Sequence, residues 1–181
     1  MPYLILTFTA LIGATIHVLG NKRTMSTNKA FRIFLFWIIF FNVGVAGFMS
    51  FYAHMFMAEK VALYIGWVPG SPFQYEVAVA NLILGVLGVM CIWFGDEFWL
   101  ATIIASVIFG WGAGYVHIKD IMLNHNYAPG NTGSPLYCDL IGPLALIILF
   151  AIYKLTKKKR VLSKKVVVKK TIKKKTLKKK K

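Results

Sequence analysis

Acidic residues are scarce in this chain. Its 181 residues include six Asp and Glu against 22 Lys and Arg, a formal net charge of +16. Cysteine is scarcer still, with only Cys91 and Cys138. No CxxC pair and no Cys/His cluster of zinc spacing occurs, which excludes a local zinc site. Cys91 lies within one apolar run and Cys138 at the start of another, so a disulfide between them is not expected. No phosphate-binding glycine loop is present, and no nucleophile–base pair has a recognisable spacing. A di-iron E-x-x-H pair is also missing.

What the chain does have is apolar surface. Hydrophobic residues make up 57% and aromatic residues 15%, too much for an ordinary soluble domain. The excess charge is local. Sixteen of the Lys and Arg lie in residues 154–181, which hold no acid, and the rest of the chain carries six of each sign. A neutral, oily body therefore carries a cationic tail.

Apolar runs fall at about residues 3–19, 31–53, 77–94, 98–116 and 136–155. Roughly 20 apolar residues cross a bilayer as a helix. The expected fold is all-α: a bundle of five transmembrane helices over 1–155, with a disordered Lys-rich tail over 156–181. The first run has no basic residues before it, and Lys22 and Arg23 follow it. That pattern favours a retained span with its N-terminus outside over a cleaved signal peptide. The first loop and the tail are basic, so the positive-inside bias places them in the cytoplasm. The second and fourth loops then meet on the outer side. The third loop, with Asp96 and Glu97, gains no support from this rule.

The second loop ends GSPFQYE (residues 70–76) and the fourth GSPLYCD (residues 133–139). Ser71 and Ser134 suit helix caps, and Pro72 and Pro135 suit a first helical position. Gln74 suits a capping box with Ser71. Glu76 and Asp139 sit where the helix dipole favours negative charge. The echo fits a parallel repeat of two helix pairs. The plainer reading is that Ser-Pro is a good way to begin a helix.

Two polar faces follow. Gln74, Ala78, Asn81, Gly85 and Gly88 share one helical face. Gly110, Gly114, His117 and Asn124 share another, with Asp120 beside it, and Gly110-x-x-x-Gly114 is a close-packing pattern in membranes. Polar groups in lipid are costly unless satisfied, so both faces are expected to point inward. Gln74, Glu76, Asn81, His117, Asp120, Asn124 and Asp139 are thus candidates for an outward-opening ligand pocket or a proton relay. His117 and Asp120, at i and i+3, are the candidate metal ligands. The competing reading is a hydrogen-bonded cap tying the fourth loop to the bundle. His54 is placed either with this cluster or at the interface. The cofactor is unknown.

In the tail, Leu162, Val167, Ile172 and Leu177 recur every five residues, which spreads them around a helix instead of along one face. Dense like charge favours disorder. Lys157, Lys158, Lys159, Arg160, Lys164 and Lys165 are expected to contact anionic lipid headgroups. Nucleic acid is a less favoured polyanion partner, because aromatic residues and arginine are sparse there. A dilysine retrieval signal is the eukaryotic alternative. Oligomerisation is left open.

The blocks GWVPGSPFQYEVAVANLILGVLG (residues 66–88) and HIKDIMLNHNYAPGNTGSPLYCDLIGP (residues 117–143) resemble a family of small multi-pass prokaryotic integral membrane proteins of unknown function. The resemblance covers much of residues 30–155 and stops before the tail. It implies residence in a prokaryotic cytoplasmic membrane and assigns no chemistry. The sequence therefore points first to a binding or accessory protein with an outward-facing polar pocket. A small transporter or proton-coupled permease is the alternative, and a metal-dependent membrane enzyme the third. The first leads because the polar groups cluster at one end, whereas carriers place theirs near the midplane.

Overall fold

The structure is a computed structural model that describes the backbone of residues 2–179 and the side chains of residues 3–159 and Val161. Every element among the described residues is helical. Helix α1 spans Pro2–Gly20 and is followed by a 3-10 turn at Lys22–Thr24. Helix α2 (Thr27–Ile38) passes through a π-helical stretch, Ile39–Val45, into α3 (Ala46–Phe56). Helices α4 (Ala58–Ile65), α5 (Phe73–Met90), α6 (Asp96–Asn124), α7 (Pro129–Thr132) and α8 (Ser134–Lys179) complete the order.

Five helical stretches are long and apolar enough to cross a membrane: Tyr3–Gly20, Thr27–Phe56, Phe73–Met90, Asp96–Asn124 and Pro129–Lys159. Their outer surface is oily. Ile5, Phe8, Ile12 and Ile16 of α1 are exposed, as are Ile104, Ile108 and Trp111 of α6. The interior holds Asn28, Gln74, Asn81, Thr102, Ser106, His117 and Asn131. A soluble domain distributes its residues the other way, and a helix bundle in hydrocarbon distributes them this way.

The α5 face is buried as the spacing predicts, whereas on α6 Gly110, Gly114 and His117 are buried and Asn124, at the end of the helix, is exposed. The buried residues of α5 are Gln74, Ala78, Asn81, Gly85 and Gly88. The two glycine stripes meet different partners. On α5, a Cβ on Gly85 would lie 3.0 Å from the backbone nitrogen of Phe48, and a Cβ on Gly47 would lie 2.5 Å from that of Gly85. Gly44 and Gly88 pair in the same way one turn along. On α6, a Cβ on Gly110 would lie 2.8 Å from Pro143, and one on Gly114 would lie 2.8 Å from Leu140. So α5 packs on α3 and the π stretch, and α6 packs on α8.

One half of the bundle is solid. Leu35, Ile39, Val43, Cys91, Trp99, Ile103, Leu146 and Tyr153 form its apolar core. The end of that half is tied by polar contacts. The Tyr153 hydroxyl donates to Asp96 Oδ1 at 2.5 Å, and Lys157 pairs with Asp96. Lys154 pairs with Glu97 at 2.8 Å. Asn28 donates to the Tyr153 carbonyl and to Thr156. The first loop, the third loop and the start of the tail thus share one end. The acids of the third loop serve as counter-ions for α8. Contacts with the rest of the bundle run along α8 as far as Lys157. Arg160, Lys164 and Lys165 lie outside the described side chains, as does most of the tail.

The start of α5 differs from expectation. Its N-cap position is Pro72, and no side chain caps it. Gln74 forms no capping box; its amide donates instead to the Ala58 carbonyl at 2.7 Å. That bond satisfies a buried amide by anchoring α5 to the first turn of α4, which a local cap would not do.

Candidate functional site

The site lies at the end opposite Asp96 and begins with a glycine. Gly66 closes α4 with φ +84, a left-handed conformation that favours glycine. A Cβ there would sit 2.5 Å from Asn126 Oδ1. The bare backbone lets the loop after α6 lie directly on the end of α4. Asn126 then donates to the Ile65 carbonyl at 2.9 Å and to Asp120 Oδ2 at 2.6 Å. Asp120 also accepts from the Trp67 indole at 2.9 Å and from Asn124 at 2.7 Å. A carboxylate with three donors is a pin between two loops.

Helix α7 starts at Pro129, as first-position prolines do, and carries the fully buried Asn131 inward. The Asn131 amide nitrogen donates to the Asn126 carbonyl at 2.8 Å and to the His117 carbonyl at 3.4 Å. Its oxygen therefore faces His117 Nδ1, at 2.6 Å. An amide oxygen only accepts, so Nδ1 carries the proton. His117 Nε2 is then directed at Asp139 Oδ2, 3.7 Å away. The Trp67 ring stacks on the imidazole, with centroids 6.2 Å apart and planes at 18°.

These groups border two adjoining cavities. The outer one, of about 300 Å³, is lined by His54, Trp67, Asn81, His117 and Asp139 among others. The deeper one, of about 330 Å³, is lined by Tyr3, Asn42, Ser50, Asn81, Ser106 and Asp139, with apolar walls that include Leu84 and Phe109. Tyr3, Ser50, Asn81 and Asp139 border both. Each volume falls at the lower end of the roughly 300–1,000 Å³ of small-molecule sites. The cavities occupy the space left because α5 and α6 each pack on another helix.

Three buried polar atoms in these walls have no hydrogen-bond partner: Asn42 Oδ1, His54 Nδ1 and Ser106 Oγ. The orientation of Asn42 is set by a relay. Its nitrogen donates to Thr7 Oγ1 at 2.7 Å, and Thr7 donates to the Tyr3 carbonyl at 3.0 Å. Asn42 lies in the π-helical stretch, and such stretches are frequent at functional sites. Tyr3 and Ser50, which border both cavities, share a hydrogen bond of 2.5 Å.

The candidates from the sequence divide into groups. Asn81, His117 and Asp139 line the cavities, and His54 joins them. Asp120 and Asn124 stand beside the site and hold its loops. Gln74 is buried against α4 and lines neither cavity. Glu76 is exposed, two residues and about 200° of helix away from Gln74. His117 and Asp120, the proposed metal pair, turn to different partners: Asn131 and Asp139 for the first, Trp67, Asn124 and Asn126 for the second. Among the described residues no group of three His, Cys, Asp or Glu is placed to hold a metal ion. Sequence reasoning missed Tyr3, Asn42, Ser50, Ser106 and Asn131. Only Asn131 left a trace, since the segment NYAPGN (residues 126–131) has the composition of a turn.

No curated protein and no solved structure matches the chain. A family model described as a family of unknown function, DUF6790, matches residues 1–159. The match includes α1, which the resemblance over 30–155 left out, and it takes in every residue that lines either cavity. The chain belongs to this family of unknown function, DUF6790.

Proposed function

We propose that this is an integral protein of a prokaryotic cytoplasmic membrane that binds a small ligand in the paired cavities, reached from the outer side. The N-terminus and the Trp67 and His117 loops face outward, and the tail faces the cytoplasm. The observation behind this reading is convergence. Residues from α1, α3, α5, α6 and α8 border two adjoining cavities with shared walls, and buried polar atoms there lack partners. Native structures rarely leave such atoms unpaired without a functional or solvent reason. In this reading the exposed Lys158 and Lys159 rest on anionic headgroups, each adding about 1 kcal/mol of membrane attraction.

Binding is favoured over transport because the recess ends on the packed core of Leu35, Ile39, Trp99, Ile103 and Tyr153. Passage across would require that core to open. Native mass spectrometry of protein released from lipid nanodiscs tests the reading. The expected result is a stoichiometric small-molecule adduct that disappears in Ala113→Phe, which fills the outer cavity. An adduct-free spectrum of the wild-type protein counts against it, and saturable solute flux in proteoliposomes would replace it with the transporter reading.

A further inference from the structure

We infer that the ligand of this recess is an amphiphile with an ammonium head and an apolar body. This rests on the binding reading above and names its ligand class. Three observations lead to it.

The first is the sign of the lining. Among the described residues no Lys or Arg borders either cavity, and Asp139 is the only carboxylate there. An anionic head would be buried there without a cationic Lys or Arg partner, which disfavours it. The second is an excess of acceptors over donors. Asn42 Oδ1 is unpaired, and the Thr7 relay fixes it as an acceptor. Pro143 has no N–H to give the Asp139 carbonyl one turn before it. His117 Nε2 and Asp139 Oδ2, both able to accept, stand 3.7 Å apart with space beside them. A primary ammonium supplies three donors and no acceptor.

The third is the shape of the deeper cavity. Its floor and walls are Ile38, Val43, Leu84, Phe109 and Leu146, which suit an apolar body below a polar head. Tyr3, Leu4 and Thr7 of α1 and Tyr137, Cys138 and Asp139 of α8 all border this cavity. The polar rim of this cavity, Tyr3, Ser50, Asn81 and Asp139, is shared with the neighbouring cavity, and its apolar residues Ile38, Val43, Leu84 and Leu146 are not.

Calorimetry on the full chain in zwitterionic nanodiscs, with empty discs subtracted, tests this with three probes of one chain length: octylammonium, octanol and octanoate. The expected result is saturable binding of octylammonium, at least tenfold weaker in Asp139→Asn, weakened in Asn42→Leu and lost in Ala145→Phe, with no saturable octanoate binding. Thermal unfolding of each variant shows whether it is folded, and Asn42→Leu keeps the test decisive if Asp139→Asn is not. Octanoate binding as tightly as octylammonium would overturn the inference. So would octanol matching octylammonium with no response to either polar variant. If none of the probes binds while the native adduct is present, the ligand class is wrong and the binding reading stands. If both are absent, both fail.

Discussion

His117 Nδ1 and Asn131 Oδ1 meet at 2.6 Å inside the protein, fourteen residues apart in the chain. Both side chains are buried, and the Asn131 amide is fixed from its other side by two carbonyls. This contact ties the loop after α6 to the wall of the recess and sets which imidazole nitrogen points inward.

Asn131→Ala leaves the Asn126 carbonyl and His117 Nδ1 without their partner. Losing a buried partner of this kind costs about 1–3 kcal/mol. Asn124→Ala removes one of three donors to Asp120 at an exposed position and is expected to cost less than about 1 kcal/mol. Equilibrium unfolding in detergent compares the two. Nitrogen-15 NMR of labelled histidine supplies a second readout. Neutral His117 is expected as the Nδ1–H tautomer in the wild type and as a mixture in Asn131→Leu.

The glycine pairs make a prediction with an internal control. Gly47→Ala places a methyl group against the backbone of Gly85, where overpacking costs about 1–3 kcal/mol. Gly112→Ala meets nothing within 4 Å on the same kind of helix. It is expected to be neutral or to stabilise by up to about 1 kcal/mol, since alanine is the better helix former. Equal effects in thermal unfolding would show that α3 and α5 are not in backbone contact.

Tyr153→Phe removes the hydrogen bond to Asp96 while keeping the ring in the core. A hydrogen bond to a charged group is worth about 1.5–3 kcal/mol, so a loss of that order is expected. Lys154→Ala breaks a pair whose Glu97 side is open to solvent and is expected to cost less than about 1 kcal/mol. Denaturant midpoints for the two variants rank them in that order.

His125 ends α6 with φ +53 and is the one described non-glycine residue of positive φ. His125→Gly relieves a left-handed conformation that costs an L-residue about 1–2 kcal/mol. A raised melting temperature is expected, with no change in ligand binding, because His125 lines neither cavity.

The sequence made the five spans and the inward faces legible because hydropathy and the 3.6-residue period are local properties. Gln74, Ala78, Asn81, Gly85 and Gly88 could be placed on one face without knowledge of any partner. Rotation about each helix axis, and the choice of neighbour, are not local. So the sequence left open that Gly85 meets α3 and that Gly114 meets α8, and hence that a recess lies between them. Asn42 was hidden because π-helical geometry has no simple sequence signature. Helix α4 was read as loop because eight residues are too short to show a period. Tyr3 and Ser50 meet 47 positions apart, a distance that local patterning does not span.

The most direct measurement is the accessibility of single cysteines to a membrane-impermeant maleimide in intact cells. Cys91 and Cys138 are first replaced by alanine, and cysteine is then introduced singly at Val68, Tyr127, Lys22 and Lys158, all exposed positions. Val68→Cys and Tyr127→Cys are expected to react at once, and Lys22→Cys and Lys158→Cys only after the membrane is opened. Labelling of Val68→Cys and Tyr127→Cys from opposite sides, or of Lys158→Cys together with Tyr127→Cys in sealed cells, would contradict an outward-facing recess formed by these two loops.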